Sequence, residues 1–299
     1  MTDSALHVEA VSRRFGKTEA LAEVSFAIPE NSICGLLGRN GAGKTTLMSI
    51  IAGHDRADAG TVRVLGADPF EHARTMSAVS FIRDNQRYPD DYYLKHVLRV
   101  GPLFHKDWNH ELAQELIEKF RLPAKTQVKK YSRGQLSALG ILLGLCSRAP
   151  LTIFDEPYLG LDATARQIFY DLLIREYTEH PRTILLSTHL IDEMGGLLER
   201  VIVLDRGRVV VDETVEEAQE SAFTVTGPAL QVEALVGGAR VLSTHRIGGL
   251  ASLTVEGRVT DELRAAASAT GAQIQPATLQ QFVAALGAVE EPALEGTLA

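Results

Sequence analysis

"GRNGAGKTT" (residues 38–46) follows an apolar strand, "ICGLL" (33–37), and opens a helical run at 45–52. It fits G-x-x-x-x-G-K-[S/T] at every fixed position: Gly38, Gly43, Lys44 and Thr45. Its glycines let the backbone turn, so that successive N–H groups across Arg39, Asn40, Gly41 and Ala42 aim at phosphate oxygens. The helix that begins near Lys44, and continues through Thr46, adds the positive end of its dipole. Lys44 is suited to reach the β- and γ-phosphates, and the Thr45 hydroxyl to ligate Mg²⁺. Strand, loop and helix in this order predict a nucleotide site on a parallel α/β sheet.

Two other strands end in groups that complete such a site. "LTIFDEP" (151–157) runs into Asp155 and Glu156, and ligands of such sheets bind beyond the carboxyl ends of the strands. Asp155 can hold a Mg²⁺-bound water, and Glu156 can polarise the attacking water as general base, a factor of roughly 10² to 10⁴. The bland alternative, an acid pair opening a helix, weakens beside the phosphate loop. "LLSTHLIDEM" (185–194) repeats the geometry with Thr188 and His189 at its end. A single histidine is more often structural, yet this one falls on the sheet edge that carries Asp155. That position predicts a contact with the γ-phosphate.

The rest of the chain sets these strands in order. "LHVEAV", "VSFAI", "SICGLL" and "TVRVLG" read as strands of the first 66 residues. After a strand "VSFI", helices are predicted at 92–104, 109–120 and 134–147. The last is apolar all round, as in a helix buried between layers. Strands then alternate with helices at 163–179 and 190–198, ending in a hairpin that turns at Arg206 and Gly207. Near-continuous apolar strands alternating with helices mean a parallel sheet covered on both faces. Residues 1–220 are therefore expected to form one α/β domain with a helical insertion at about 86–147. Residues 221–299 are expected to form a separate α+β module of short strands and two helices, ending in a loose tail "GAVEEPALEGTLA" (287–299).

Composition narrows the classes. The 299 residues are 45% hydrophobic and 23% charged, a globular balance. A net charge of −8 argues against coating nucleic acid, which needs a basic face. Cys34 and Cys146, each in an apolar segment, are expected to be buried reduced thiols. No basic start followed by an apolar core suggests a signal peptide, and the longest near-apolar run (136–146) falls short of the ~20 residues that span a bilayer. A soluble cytoplasmic protein is predicted.

One peptide remains, "YSRGQLSALG" (131–140), where Ser132 is placed to cap the buried helix. With the three motifs above, its order and spacing resemble the ATP-binding subunits of ATP-binding cassette (ABC) transporters, over residues from about 5 to 215. The resemblance implies a P-loop NTPase fold with an antiparallel β subdomain, ATP and Mg²⁺ as ligands, and ATP hydrolysis coupled to transport. It implies that Phe15 stacks on adenine, and that His189 is the switch histidine. It makes "YSRGQ" the signature peptide, whose Ser132, Gly134 and Gln135 grip ATP held by a second cassette. "DEPYLGLD" then matches the family's carboxylate pair and its following loop, ending in Asp162, which the resemblance counts among the nucleotide-binding residues. Implied partners are a membrane permease and a second cassette subunit, at the inner face of the membrane, and the C-terminal module loosely suggests an exporter. Two positions depart from the family: Arg133 replaces a signature glycine, and either adds a cation near the phosphates or points into solvent. The loop "FIRDNQRYPDDYY" has one glutamine, Gln86, for the magnesium contact, later than the usual place, where Arg83 or Asp84 falls.

Overall fold

The computed structural model describes residues 4–84 and 86–288 and divides them into two compact units, 4–189 with 202–212 and 190–201 with 213–288. The first begins with β1 (Ser4–Phe15) and β2 (Thr18–Pro29), a long antiparallel pair. Ala10, at φ 48°, sits in an irregularity between the pairs Val8–Phe26 and Val11–Val24. The irregular stretch lets Val8 and Val11, three residues apart, both face the core where strict alternation allows only one. After β3 (Ile33–Leu37) and α1 (Lys44–Ile51), β4 (Ala59–Val64) pairs with the other edge of β1 in the order β2-β1-β4.

The chain continues through α2 (Ala73–Ser77) and β5 (Val79–Ile82) into the helical insertion: α3 (Leu94–Phe104), α4 (His110–Lys119) and α5 (Arg133–Ser147). Asn109 caps α4, its carboxamide oxygen accepting from the N–H groups of Glu111 and Leu112. In α5 Leu139, Ile141, Leu142, Leu145 and Cys146 are all buried, as a helix apolar all round requires. β6 (Leu151–Asp155), α6 (Ala163–Glu179) and β7 (Thr183–Ser187) follow. The helix α7 (Ile191–Met194) precedes β8 (Arg200–Asp205) and β9 (Arg208–Thr214).

The main sheet has the order β5-β6-β7-β3-β8-β9, with β5, β6, β7 and β3 paired in parallel. Every residue of β3, β6 and β7 is buried, which explains their unbroken apolar runs. Arg206 (φ 44°) and Gly207 (φ 78°) make the two-residue turn between β8 and β9, both in the left-handed conformation that such turns need. Leu6, Leu21, Leu47, Met48, Ile51, Ile153 and Leu185 form the core under this sheet. The expected α/β fold with antiparallel β subdomain and helical insertion is present. One helix is shorter than the sequence suggested: α7 ends at Met194 instead of reaching residue 198, because Gly195 and Gly196 follow, each costing a helix about 1 kcal/mol relative to alanine.

The second unit is α+β. After α8 (Val215–Glu220) come β10 (Ala222–Pro228), α9 (Ala229–Leu235), β11 (Val241–Ile247), β12 (Leu250–Glu256), α10 (Asp261–Thr270), β13 (Gln273–Pro276) and α11 (Leu279–Ala288). From β10 to β13 the order is strand, helix, strand, strand, helix, strand. The antiparallel sheet runs β11-β12-β10-β13, the split β-α-β arrangement of ferredoxin-like folds. Phe223, Val225 and Val255 of the sheet pack with Val232 of α9 and Ala267 of α10. The sequence signalled β10 and β12 but not α9, β11 or β13. β11 is an edge strand with Leu242 alone fully buried, so it has little apolar pattern to read. Most of the predicted loose tail lies outside the described residues.

Candidate nucleotide site

The phosphate loop is shaped by close backbone approaches. A Cβ on Gly43, where φ is 104°, would lie 2.5 Å from the carbonyl oxygen of Ala20 on β2. One on Gly38 would lie 2.2 Å from that of Leu204 on β8, so neither position accepts a larger residue without movement. Lys44 is buried at the start of α1, and its ammonium donates to the carbonyl oxygens of Gly38 (2.7 Å) and Arg39 (3.2 Å). Burial lowers its pKa below the ordinary lysine value, while the carboxylates of Glu156 and Asp155 act in the opposite sense. Thr45 Oγ1 donates to Asp155 Oδ2 at 2.8 Å, which joins the phosphate loop to the end of β6.

β7 supports that carboxylate from the other side. Ser187 Oγ donates to Asp155 Oδ1 (2.8 Å) and accepts from the Glu156 N–H (2.9 Å). Glu156 has φ 50°, a conformation that costs a non-glycine residue on the order of 1–3 kcal/mol and clusters at functional sites. Its Oε2 lies 2.6 Å from His189 Nδ1 and accepts from the Tyr158 hydroxyl at 2.7 Å. Gly38, Arg39, Asn40, Gly41, Gly43, Lys44, Thr45, Thr46, Asp155, Glu156 and His189 thus line one cleft of about 1040 Å³.

Other predicted residues stand apart from its walls. Ala42 is buried behind the loop. Phe15 is 50% exposed, with the Arg13 guanidinium 4.8 Å above its ring, and only Thr18, Glu19 and Ala20 of the same hairpin line the cleft. Ser132 and Gln135 cap α5 reciprocally: Ser132 Oγ accepts from the Gln135 N–H (3.2 Å) and Gln135 Oε1 from the Ser132 N–H (3.0 Å). Gly134 passes so close to the turn before α6 that a Cβ would meet Gly160 O at 2.5 Å. Asp162 caps α6, accepting from the Ala165 N–H at 2.8 Å.

Gln86 stands beside the cleft, not in its wall. Arg83 and Asp84 are on the wall that carries Thr45 and Asp155. The Gln86 side-chain oxygen is buried without a hydrogen-bond partner among the described residues, and only a crevice of about 10 Å³ lies between it and the carboxylate pair. The chain leaves β5 at Ile82, so the next two residues reach the cleft and Gln86 arrives too late. Arg133 is the one residue of "YSRGQ" on the cleft wall, and it pairs with Asp84 as well as facing solvent. Sequence reasoning also missed Ser187 and Tyr158, whose signal is their place: the last residue of β7, and two residues past Glu156.

The arrangement fits Mg²⁺ held with the help of a nucleotide. Among the described residues no group of three or more histidines, cysteines and acids is suited to hold a metal. A hydroxyl beside one carboxylate is the sparse protein contribution that Mg²⁺ shares with substrate phosphates.

Comparison with known proteins decides the family. Residues 21–159 match the ABC transporter family. The chain is 34% identical over 261 residues to an uncharacterized ABC transporter ATP-binding protein, YdbJ, of Bacillus subtilis, covering 78% of this chain and 81% of that one. The chain belongs to the ABC transporter ATP-binding proteins. The doxorubicin resistance ATP-binding protein DrrA of Mycobacterium tuberculosis is 31% identical over 228 residues, 74% of this chain and 69% of its own. The methionine import ATP-binding protein MetN of Rhizobium etli is 31% identical over 265 residues, 82% and 69%. A solved ATP-binding subunit of an ABC transporter superposes with a TM-score of 0.65 over 72% of this chain and 92% of its own, at 23% identity. This ABC ATPase binds and hydrolyses ATP. No helix among its described residues is long and apolar enough to cross a membrane.

Proposed function

We propose that this ABC subunit powers an exporter by closing on ATP with a second cassette. In this reading Lys44 and the loop N–H groups hold the β- and γ-phosphates, and Thr45 and Asp155 hold Mg²⁺, which would offset phosphate charge. Glu156 takes the proton from the attacking water and His189 contacts the γ-phosphate. Phe15, half exposed at its hairpin, offers a face to adenine. Residues 1–220 carry this activity; residues 221–299 are an accessory module.

The observation that carries the dimer is the division of the machinery. Lys44, Asp155 and Glu156 share one cleft, whereas Ser132 and Gln135 cap a helix outside its walls. Arg133 alone of this peptide reaches its own chain's cleft, which leaves the serine and glutamine at the helix start free to face a neighbour's phosphate. A membrane permease then supplies the path, with this chain peripheral on the inner face of the membrane. Export is supported by the likeness to a drug-resistance subunit; the likeness to an import subunit favours the opposite direction as a second reading.

Glu156→Gln separates binding from turnover. It should slow hydrolysis at least about 10²-fold, as loss of a general base does, while ATP stays bound. Sedimentation of this variant should then give dimers with ATP and monomers without. Wild-type turnover, or monomers at saturating ATP, would refute the base or the dimer respectively. Direction is read in inverted membrane vesicles containing the permease: ATP-driven accumulation of cargo inside means export, and its release means import.

A further inference from the structure

Tyr158 lies between the two polar side chains assigned to hydrolysis, and no role in the nucleotide site has yet been given to it. Its side chain is 2% exposed, so its hydroxyl has no water to satisfy it. A phenol has one hydrogen to donate and lone pairs to accept. The hydrogen goes to Glu156 Oε2 at 2.7 Å. The oxygen accepts from the backbone N–H of His189 at 2.8 Å and is also bonded by the Thr188 side chain. The ring stands edge-on to the His189 imidazole, centroids 5.4 Å apart and planes at 69°. Burial raises the phenol pKa, so the hydroxyl remains a donor at any working pH.

The distribution of bonds on Glu156 is lopsided. Both side-chain partners, Tyr158 and His189, bond to Oε2. Among the described residues Oε1 has none, and the carboxylate as a whole lines the cleft. One oxygen anchors the group and the other is left for chemistry.

We propose that Tyr158 is a positioning residue for hydrolysis, holding Glu156 Oε2 and the His189 backbone so that Glu156 Oε1 faces the attacking water. This rests on Glu156 being the base. The proton leaves water for Oε1, the water oxygen bonds to the γ-phosphorus, and the bond from that phosphorus to the ADP oxygen breaks, its electron pair leaving with ADP. The hydroxyl touches neither water nor phosphate; it acts through the carboxylate and the histidine.

Tyr158→Phe in the full chain removes one oxygen and keeps the ring. Steady-state turnover should show kcat lower by about tenfold or more, the scale on which a misplaced reacting group loses rate, with KM for ATP unchanged. The unfolding temperature should fall modestly, as when buried polar groups lose a partner. A kcat within twofold of wild type would overturn the proposal. So would a KM for ATP that rises as far as kcat falls, because the hydroxyl would then serve the shape of the binding site and not the placing of the base. A double-variant cycle gives the second reading. In the Glu156→Gln background, adding Tyr158→Phe should make single-turnover hydrolysis no slower; a further equal loss would also overturn the proposal. Failure of the base itself is distinct: Glu156→Gln alone would then hydrolyse ATP at the wild-type rate.

Discussion

Arg133 Nη2 donates to both carboxylate oxygens of Asp84, at 3.2 and 3.1 Å, so the arginine that departs from the family's signature is bonded into the loop that carries the second departure. The arginine stands where the signature has a glycine, and Asp84 lies where the loop after β5 reaches the cleft. Opposite charges on the signature and that loop explain each other in a way that neither does alone. The arginine side chain is 61% exposed, so the pair is solvated and its strength is limited.

The pair should therefore matter little to stability. Arg133→Gln is expected to cost no more than about 1 kcal/mol, less in high salt, as for exposed ion pairs. Urea unfolding of the variant and wild type at low and high ionic strength measures it. A loss above about 2 kcal/mol that ignores salt would mean that the side chain packs instead of pairing.

Lys44 gives ATP binding a pH dependence of known sign. Burial lowers the pKa of its ammonium in the free chain, and phosphate beside it favours the charged form. The pKa in the complex is then above that in the free chain. Affinity is complete below the free-chain value and declines as pH rises through it toward the value in the complex. Calorimetry at alkaline pH, below the ordinary lysine value of about 10.4, should show proton uptake on binding. Lys44→Ala should bind weakly and take up no proton. A wild-type affinity constant across that range would contradict the role of Lys44.

A chain ending at Glu220 tests the accessory module. It retains Lys44, Asp155, Glu156 and His189, so ATP binding should persist. It loses α11, which packs on α7 and α8, where Met194 and Ala218 are fully buried. The unfolding temperature should fall while unfolding stays cooperative. Loss of ATP binding in a chain that remains folded would show that the module contributes to the nucleotide site.

What the sequence disclosed follows from how local each signal is. Gly38 to Thr46 carries its geometry in the backbone, and β3, β6 and β7 are apolar throughout, so loop, sheet and cleft were legible. Asp155, Glu156 and His189 could be placed because strand ends in a parallel sheet converge on one edge. Gln86 was harder to place: the chain leaves β5 at Ile82, so Arg83 and Asp84 reach the cleft wall before it. Ser187 and Tyr158 act through tertiary hydrogen bonds to residues that are distant or differently oriented, and no periodicity marks them. α7 was drawn too long by ignoring Gly195 and Gly196. β11 stayed hidden because an edge strand with little burial shows no alternation.

Mixed dimers decide whether Ser132 serves a neighbouring chain. If ATP is sandwiched between two copies, each site takes Lys44 from one and Ser132 from the other. Lys44→Ala and Ser132→Ala homodimers are then impaired at both sites. When the two variants are mixed and exchange subunits, a mixed dimer has one site with both defects and one with neither. Random pairing makes about half the dimers mixed, so roughly a quarter of all sites recover under two-fold symmetry. ATPase rate plotted against mixing ratio should rise to a maximum near equal proportions, while the double variant mixed with wild type serves as control. A flat line at the single-variant rate would contradict the homodimeric sandwich.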